Sequence, residues 1–181
     1  MTPDAAAGRV LHHALARPAR LGHARLICVD GPSGSGKSTL AAAIARRRAV
    51  HVVHVDEMFP GWDGMALIEH RVGLLLRGLV RGDGWWRRWD WPGDAWAEWH
   101  RVPAAGLVVL EGVGAGHRSW ARWTTTLVWV EAPRAQRLVR GHERNHDMDE
   151  QWRRWQAREN ALFVAQHTRA RADVVVPNRD N

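Results

Sequence analysis

Short apolar runs alternate with longer helical stretches along this chain. Residues 26–30 (LICVD), 51–55 (HVVHV), 107–110 (LVVL), 127–130 (LVWV) and 174–176 (VVV) are brief and rich in β-branched residues, which predicts five strands. Most lack a polar alternation, as expected of strands covered on both faces. Between them, 4–17, 37–48, 65–81, 133–144 and 149–171 carry helix formers, with Asp4 as the expected first cap and Pro18 and Pro133 as boundaries. In 65–81 the expected apolar stripe is Leu67, Ile68, Leu74, Leu75 and Leu79. Gly82-Asp83-Gly84 reads as a turn. Residues 85–99 fit neither period: they hold Trp85, Trp86, Trp89, Trp91, Trp96 and Trp99, with Pro92-Gly93 splitting the segment in two. Strands alternating with helices predict an α/β domain built on a parallel sheet.

The chain has 181 residues and a mass of 20.5 kDa, enough for one domain with a core that needs no disulfide. No apolar run approaches ~18 residues, and MTPDAAAGRV lacks the apolar core of a signal peptide, so a cytoplasmic protein is expected. Cys28, the single cysteine, sits in an apolar run and is expected to be a buried strand residue. The net charge of +7 comes from 25 Arg and one Lys, beside 12 Trp and no Tyr. That skew points to compositional bias, so the charge is discounted as a sign of nucleic acid, and an anionic ligand is expected instead.

The lone lysine falls in Gly31-Pro32-Ser33-Gly34-Ser35-Gly36-Lys37-Ser38, which fits G-x-x-x-x-G-K-[ST] between a predicted strand and a predicted helix. Glycines let backbone N–H groups wrap a phosphate, and the helix turns its positive end toward the same anion. A chain that otherwise writes its basic positions as Arg keeps a compact ammonium here. The donor site is expected to comprise Gly31, Ser33, Gly34, Ser35, Gly36, Lys37, Ser38 and Thr39, with Ser38 on Mg²⁺. Ligands of open parallel sheets bind at the carboxyl ends of strands, where Asp30, Asp56 and Glu111 fall. Asp56 is expected to serve an acceptor hydroxyl, with neighbouring Glu57 as a substitute, and Glu111 to stand near the metal.

Arg137, Arg140 and Arg144 recur at i, i+3 and i+7, within roughly 60° on one helix face, and suit spread negative charge. The tryptophan segment, with Trp62 nearby, reads as an acceptor wall, and Asp90 as a hydrogen-bonding group within it. Trp96 and Trp99 are expected to cover the core, and Trp120, Trp123, Trp129, Trp152 and Trp155 to be structural. His54 reads as a structural histidine and His100 as a substrate candidate. The histidines show no metal-binding spacing.

Taken in order, DGPSGSGKST, a strand ending in Asp56, the W-D-W block, LVVLEG and RLVRGHER resemble the uridine kinase-like branch of P-loop kinases over nearly the whole chain. The resemblance implies a three-layer α/β sandwich with a five-stranded parallel sheet and a small lid at about 137–150. It implies one domain over 1–181, an acceptor-binding insertion at about 57–103, and ATP or GTP with Mg²⁺ as phosphoryl donor. Asp56 would be the base, Trp62, Trp89, Asp90 and Trp91 would meet the acceptor, Ser38 and Glu111 would hold the metal, and Lys37, Arg137, Arg140 and Arg144 would act on the phosphates. The donor base would lie near 140–144 and 177–181. Arg88-Trp89-Asp90-Trp91 departs from the branch's Pro-x-Tyr-Asp-Phe, and the segment after Asp56 departs from Asp-x-Phe-Tyr, so the reaction transfers better than the substrate. The expected partner is a nucleoside-like small molecule, with a second copy of the chain as a further candidate and neither membrane nor nucleic acid expected. The other readings are a nucleoside monophosphate or antibiotic hydroxyl as acceptor, an NTPase switch or nucleic-acid-associated ATPase, and a module that binds nucleotide without turnover.

Overall fold

The computed structural model describes residues 1–104, 106–144 and 149–178, apart from the side chains of 142–144 and 149. Five parallel strands form the central sheet: β1 (Arg25–Asp30), β2 (His51–His54), β5 (Leu107–Glu111), β6 (Thr124–Glu131) and β7 (Val174–Pro177), in the order β2-β5-β1-β6-β7. β1 lies in the middle, with Cys28 level with Leu110 on one side and Leu127 on the other. Because all five strands run the same way, their carboxyl ends share one edge, and the chain leaving β1 faces the crevice where the topology switches direction.

Alternate residues of the apolar strands feed two cores. Ile27, Val29, Val109, Val128 and Val130 pack under α1 (Pro3–Leu15) and α2 (Lys37–Arg47), whose buried Ala6, Ala7, Ala14, Ala41 and Ala43 let the helices approach the sheet and each other closely. Leu26, Cys28, Val108 and Leu110 face the other way, toward α3 (Ile68–Arg81) and Trp120. Cys28 is fully buried, and burial pushes its thiol up to about 12. Among the described residues no helix is long and apolar enough to cross a membrane.

Local structure corrects several expectations. Thr2, not Asp4, caps α1: its Oγ1 accepts from Ala5 N at 3.2 Å, while Asp4 pairs with Arg46. The 65–81 helix begins as a 3-10 turn at Gly64–Leu67, and α3 buries Ile68, Val72, Leu75, Leu76 and Leu79 while Leu67 and Leu74 face solvent. Both choices have helical spacing, and the seat of the helix on the sheet decided between them. The 149–171 stretch divides at His167, whose φ of 48° ends α5 (Asp149–Gln166) before the short α6 (Thr168–Arg171).

The tryptophan segment is a β-hairpin, β3 (Asp83–Asp90) and β4 (Ala95–Pro103), turned by Trp91-Pro92-Gly93-Asp94. Trp86 is buried against the core, whereas Trp99 is 62% exposed. A strand's period of two places residues three apart on opposite faces, so Trp96 and Trp99 cannot cover the core together.

Candidate active site

Between β1 and α2, residues 31–36 form a loop that passes so near β6 that a Cβ on Gly31 would lie 2.1 Å from Val130 O. At Gly34 (φ +77°) a Cβ would lie 2.8 Å from Arg137 O, so the loop also touches α4 (Arg134–Arg144) closely. Only glycine combines this left-handed backbone with such contacts. Lys37 opens α2, is 6% exposed, and donates from Nζ back to Pro32 O at 3.3 Å, which holds its ammonium across the loop. The Ser35 hydroxyl is buried without a hydrogen-bond partner, while Ser35 O accepts from Asn178 Nδ2 at 2.9 Å. Ser38 and Thr39 are exposed on the first turn of α2.

The acids divide by role. Asp30 is fully buried and accepts from Gly31 N (2.7 Å), Gly114 N (2.9 Å) and Gly116 N (2.8 Å), so it clamps the start of the 31–36 loop to the loop after β5. Glu111, at the end of β5, accepts from Ser38 Oγ at 3.1 and 3.3 Å and contacts His54 Nδ1. That hydrogen bond raises the imidazole pKa against the opposing effect of burial, so His54, expected to be merely structural, belongs to the site. Asp56 follows β2 in a 3-10 turn, Val55–Met58, with Oδ1 accepting from Val113 N at 3.4 Å. Burial pushes its carboxyl up to about 6; Lys37 opposes the shift, and Glu111 and Glu159 reinforce it. Lys37, Glu111 and Glu159 thus all lie within electrostatic range of Asp56. Glu57 is half-buried beside Asp56.

Trp91 turns back onto this point, its Nε1 donating to Asp56 O at 3.1 Å. Its ring meets Trp62 edge-on at 5.6 Å, Trp62 meets Trp155 at 6.0 Å, and Trp155 meets Phe59 at 5.7 Å. Trp62 and Trp91 therefore stand together beside Asp56. Trp89 and Asp90 are placed by the hairpin instead: Trp89 packs edge-on against Trp96 at 5.0 Å, and Asp90 pairs with Arg88 at 3.1 Å. His100 stacks on Trp86 at 4.5 Å. Of the three arginines expected on one helix face, Arg140 donates to Gly34 O at 2.8 Å and Arg137 lies 3.7 Å from Glu159, while the Arg144 side chain lies outside the described residues.

Two groups on α5 that the sequence did not single out for the site also reach the loop. Glu159, with no exposed surface, accepts from Ser33 N at 3.1 Å and from Ser33 Oγ at 2.7 Å. Trp155, expected only to fill the core, donates from Nε1 to Ser33 Oγ at 3.1 Å. Their i, i+4 spacing puts both on one helix face, a signal present in the sequence but common to many pairs. An open cavity of about 560 Å³ near α1 and β7, lined by Arg9, His12, His13 and Asp173 among others, shares no residue with this site.

No protein-family model and no curated protein matches the chain. Solved structures do. One is a possible uridine kinase from Bacillus stearothermophilus, with a TM-score of 0.70 and 19% identity, over 97% of this chain and 100% of that one. The chain shares the fold of that structure, a five-stranded parallel sheet between helices. A protein of Silicibacter sp. TM1040 provisionally named a fructose transport system kinase superposes with a TM-score of 0.59 and 23% identity, over 98% of this chain and 100% of that one.

Proposed function

We propose that the protein is a kinase that moves the terminal phosphate of ATP or GTP to a hydroxyl of a nucleoside-like small molecule. The observation that carries this reading is the convergence of a phosphate loop, a buried ammonium and a carboxylate of raised pKa at one sheet edge, beside an aromatic wall. A carboxylate pushed up to about 6 remains mostly ionised at neutral pH and is a stronger base than an ordinary aspartate. Asp56 takes the proton of the acceptor hydroxyl as its oxygen bonds to the terminal phosphorus and the bond to the leaving diphosphate breaks. Lys37 supplies positive charge to the phosphates, and Arg140 ties the lid helix to the loop at Gly34.

The Ser38 hydroxyl and the Glu111 carboxylate, hydrogen-bonded to each other, are the hard oxygen donors that a Mg²⁺ ion shared with nucleotide phosphates requires. When bound, the ion neutralises phosphate charge. Trp62 and Trp91 offer the planar acceptor a stacking surface, with the indole N–H of Trp91 fixing the backbone of Asp56.

The test is release of ADP and GDP from ATP-Mg²⁺ and GTP-Mg²⁺ against nucleosides, nucleotides and nucleoside antibiotics. Release that depends on a nucleoside-like hydroxyl supports the reading and names the acceptor. Release that ignores every acceptor makes the protein an NTPase, and nucleotide binding without release makes it a binding module.

A further inference from the structure

We propose that Glu159 is a positioning residue that pins the phosphate loop from the side of α5 and thereby holds it in binding form before nucleotide arrives. The proposal rests on the phosphate-loop reading above. The loop binds an anion through backbone N–H groups, so its affinity depends on how well those groups are ordered beforehand. Its glycines make it intrinsically free. The structure supplies the missing restraint at Ser33. The backbone N–H and the hydroxyl of Ser33 both donate to the Glu159 carboxylate, at 3.1 and 2.7 Å, and the Ser33 oxygen accepts from Trp155 Nε1 at 3.1 Å. One turn of α5 thus satisfies both the backbone N–H and the hydroxyl of a residue in the middle of the loop.

The same carboxylate faces the lid. Arg137 Nη1 stands 3.7 Å from Glu159 Oε1, and Arg140 reaches the adjacent Gly34 O at 2.8 Å. Glu159 therefore ties α5, the lid helix α4 and the loop into one unit. A carboxylate without exposed surface is costly to bury unless its oxygens are hydrogen-bonded, and here the bonds run to the loop. Trp155 extends the connection to the aromatic wall, since its ring packs on Trp62 and Phe59.

The experiment is calorimetric titration of the full chain, in Mg²⁺, with non-hydrolysable ATP and GTP analogues, for wild type, Glu159→Ala, Glu159→Gln and Ser33→Ala, with circular dichroism as a check on folding. Glutamine keeps an oxygen that accepts from Ser33. Glu159→Ala is expected to weaken binding at least tenfold, about 1.4 kcal/mol, with Glu159→Gln returning to within threefold of wild type. Ser33→Ala, which keeps its backbone N–H, is expected to lose about three- to fivefold, and it decides the matter if Glu159→Ala does not fold. The proposal is overturned if Glu159→Ala binds within threefold of wild type, if Glu159→Gln is as weak as Glu159→Ala, or if Ser33→Ala stays within twofold. Wild type that binds neither analogue overturns the phosphate-loop reading as well, whereas wild type that binds beside an unaffected Glu159→Ala overturns this proposal alone.

Discussion

Replacing Asp30 by alanine and by asparagine separates the two effects that the buried carboxylate combines. Its oxygens satisfy three backbone N–H groups, two on Oδ1 (Gly31 and Gly114) and one on Oδ2 (Gly116). Alanine leaves all three donors unpaired in a dry interior, at ~1–3 kcal/mol each, or about 6 kcal/mol at mid-range. Against that, burial pushes the carboxyl from 3.8 up to about 6, so the ionised group costs the folded state about 3 kcal/mol at neutral pH, which alanine relieves. The expected net loss is about 3 kcal/mol, a fall of roughly 6–12 °C in Tm for a chain of this size. Asparagine keeps the oxygen shared by Gly31 and Gly114 and turns its amide against Gly116 N–H. One lost acceptor, at ~1–3 kcal/mol, then roughly cancels the relieved charge, and the protein should stay within about 1 kcal/mol of wild type. The sign with pH follows: a raised carboxylate pKa favours the folded state in acid, and that advantage disappears as pH rises from about 4 through about 6. Wild type should therefore lose ground to Asp30→Asn across that window. Urea unfolding followed by tryptophan fluorescence measures both variants. An Asp30→Ala protein within 1 kcal/mol of wild type, or an Asp30→Asn protein as unstable as Asp30→Ala, would show that the three N–H bonds of Asp30 do not set its net contribution.

Asp56→Asn should cost 10²–10⁴-fold in turnover with nucleotide affinity unchanged, and wild-type kcat/KM should fall tenfold per pH unit below about 6, as Asp56 becomes protonated. Steady-state kinetics from pH 5 to 8 with the acceptor found by the panel would show both, and a flat acid limb would remove Asp56 as base. Glu111→Gln should raise the Mg²⁺ concentration for half-maximal rate by about tenfold, read by titrating the metal at saturating nucleotide. Trp86→Ala should destabilise by ~3–5 kcal/mol while Trp99→Ala stays within about 0.5 kcal/mol, which thermal melts compare directly.

The placement of the residues nearest the loop could be read from the chain because its signals are local. A left-handed glycine, the lysine that opens a helix and the acid that ends a strand are decided within a few residues, so Gly31–Ser38, Asp56 and Glu111 stand at one edge as expected. Strands buried on both faces also announce themselves, because a uniformly apolar run has few other places to go. What tertiary structure alone decided involves partners far apart in the chain. The tryptophan segment has no clean period of two, and it became a hairpin because Gly84, Trp86 and Val102 found the core. Nothing local distinguishes Leu74 from Leu75 as the buried residue of α3, which the seat of the helix on the sheet settled. Glu159 and Ser33 are 126 positions apart. An acid on an amphipathic helix ordinarily faces water, and only the packing of α5 against the loop converts this one into an internal acceptor, because a buried carboxylate must find donors and the loop held them.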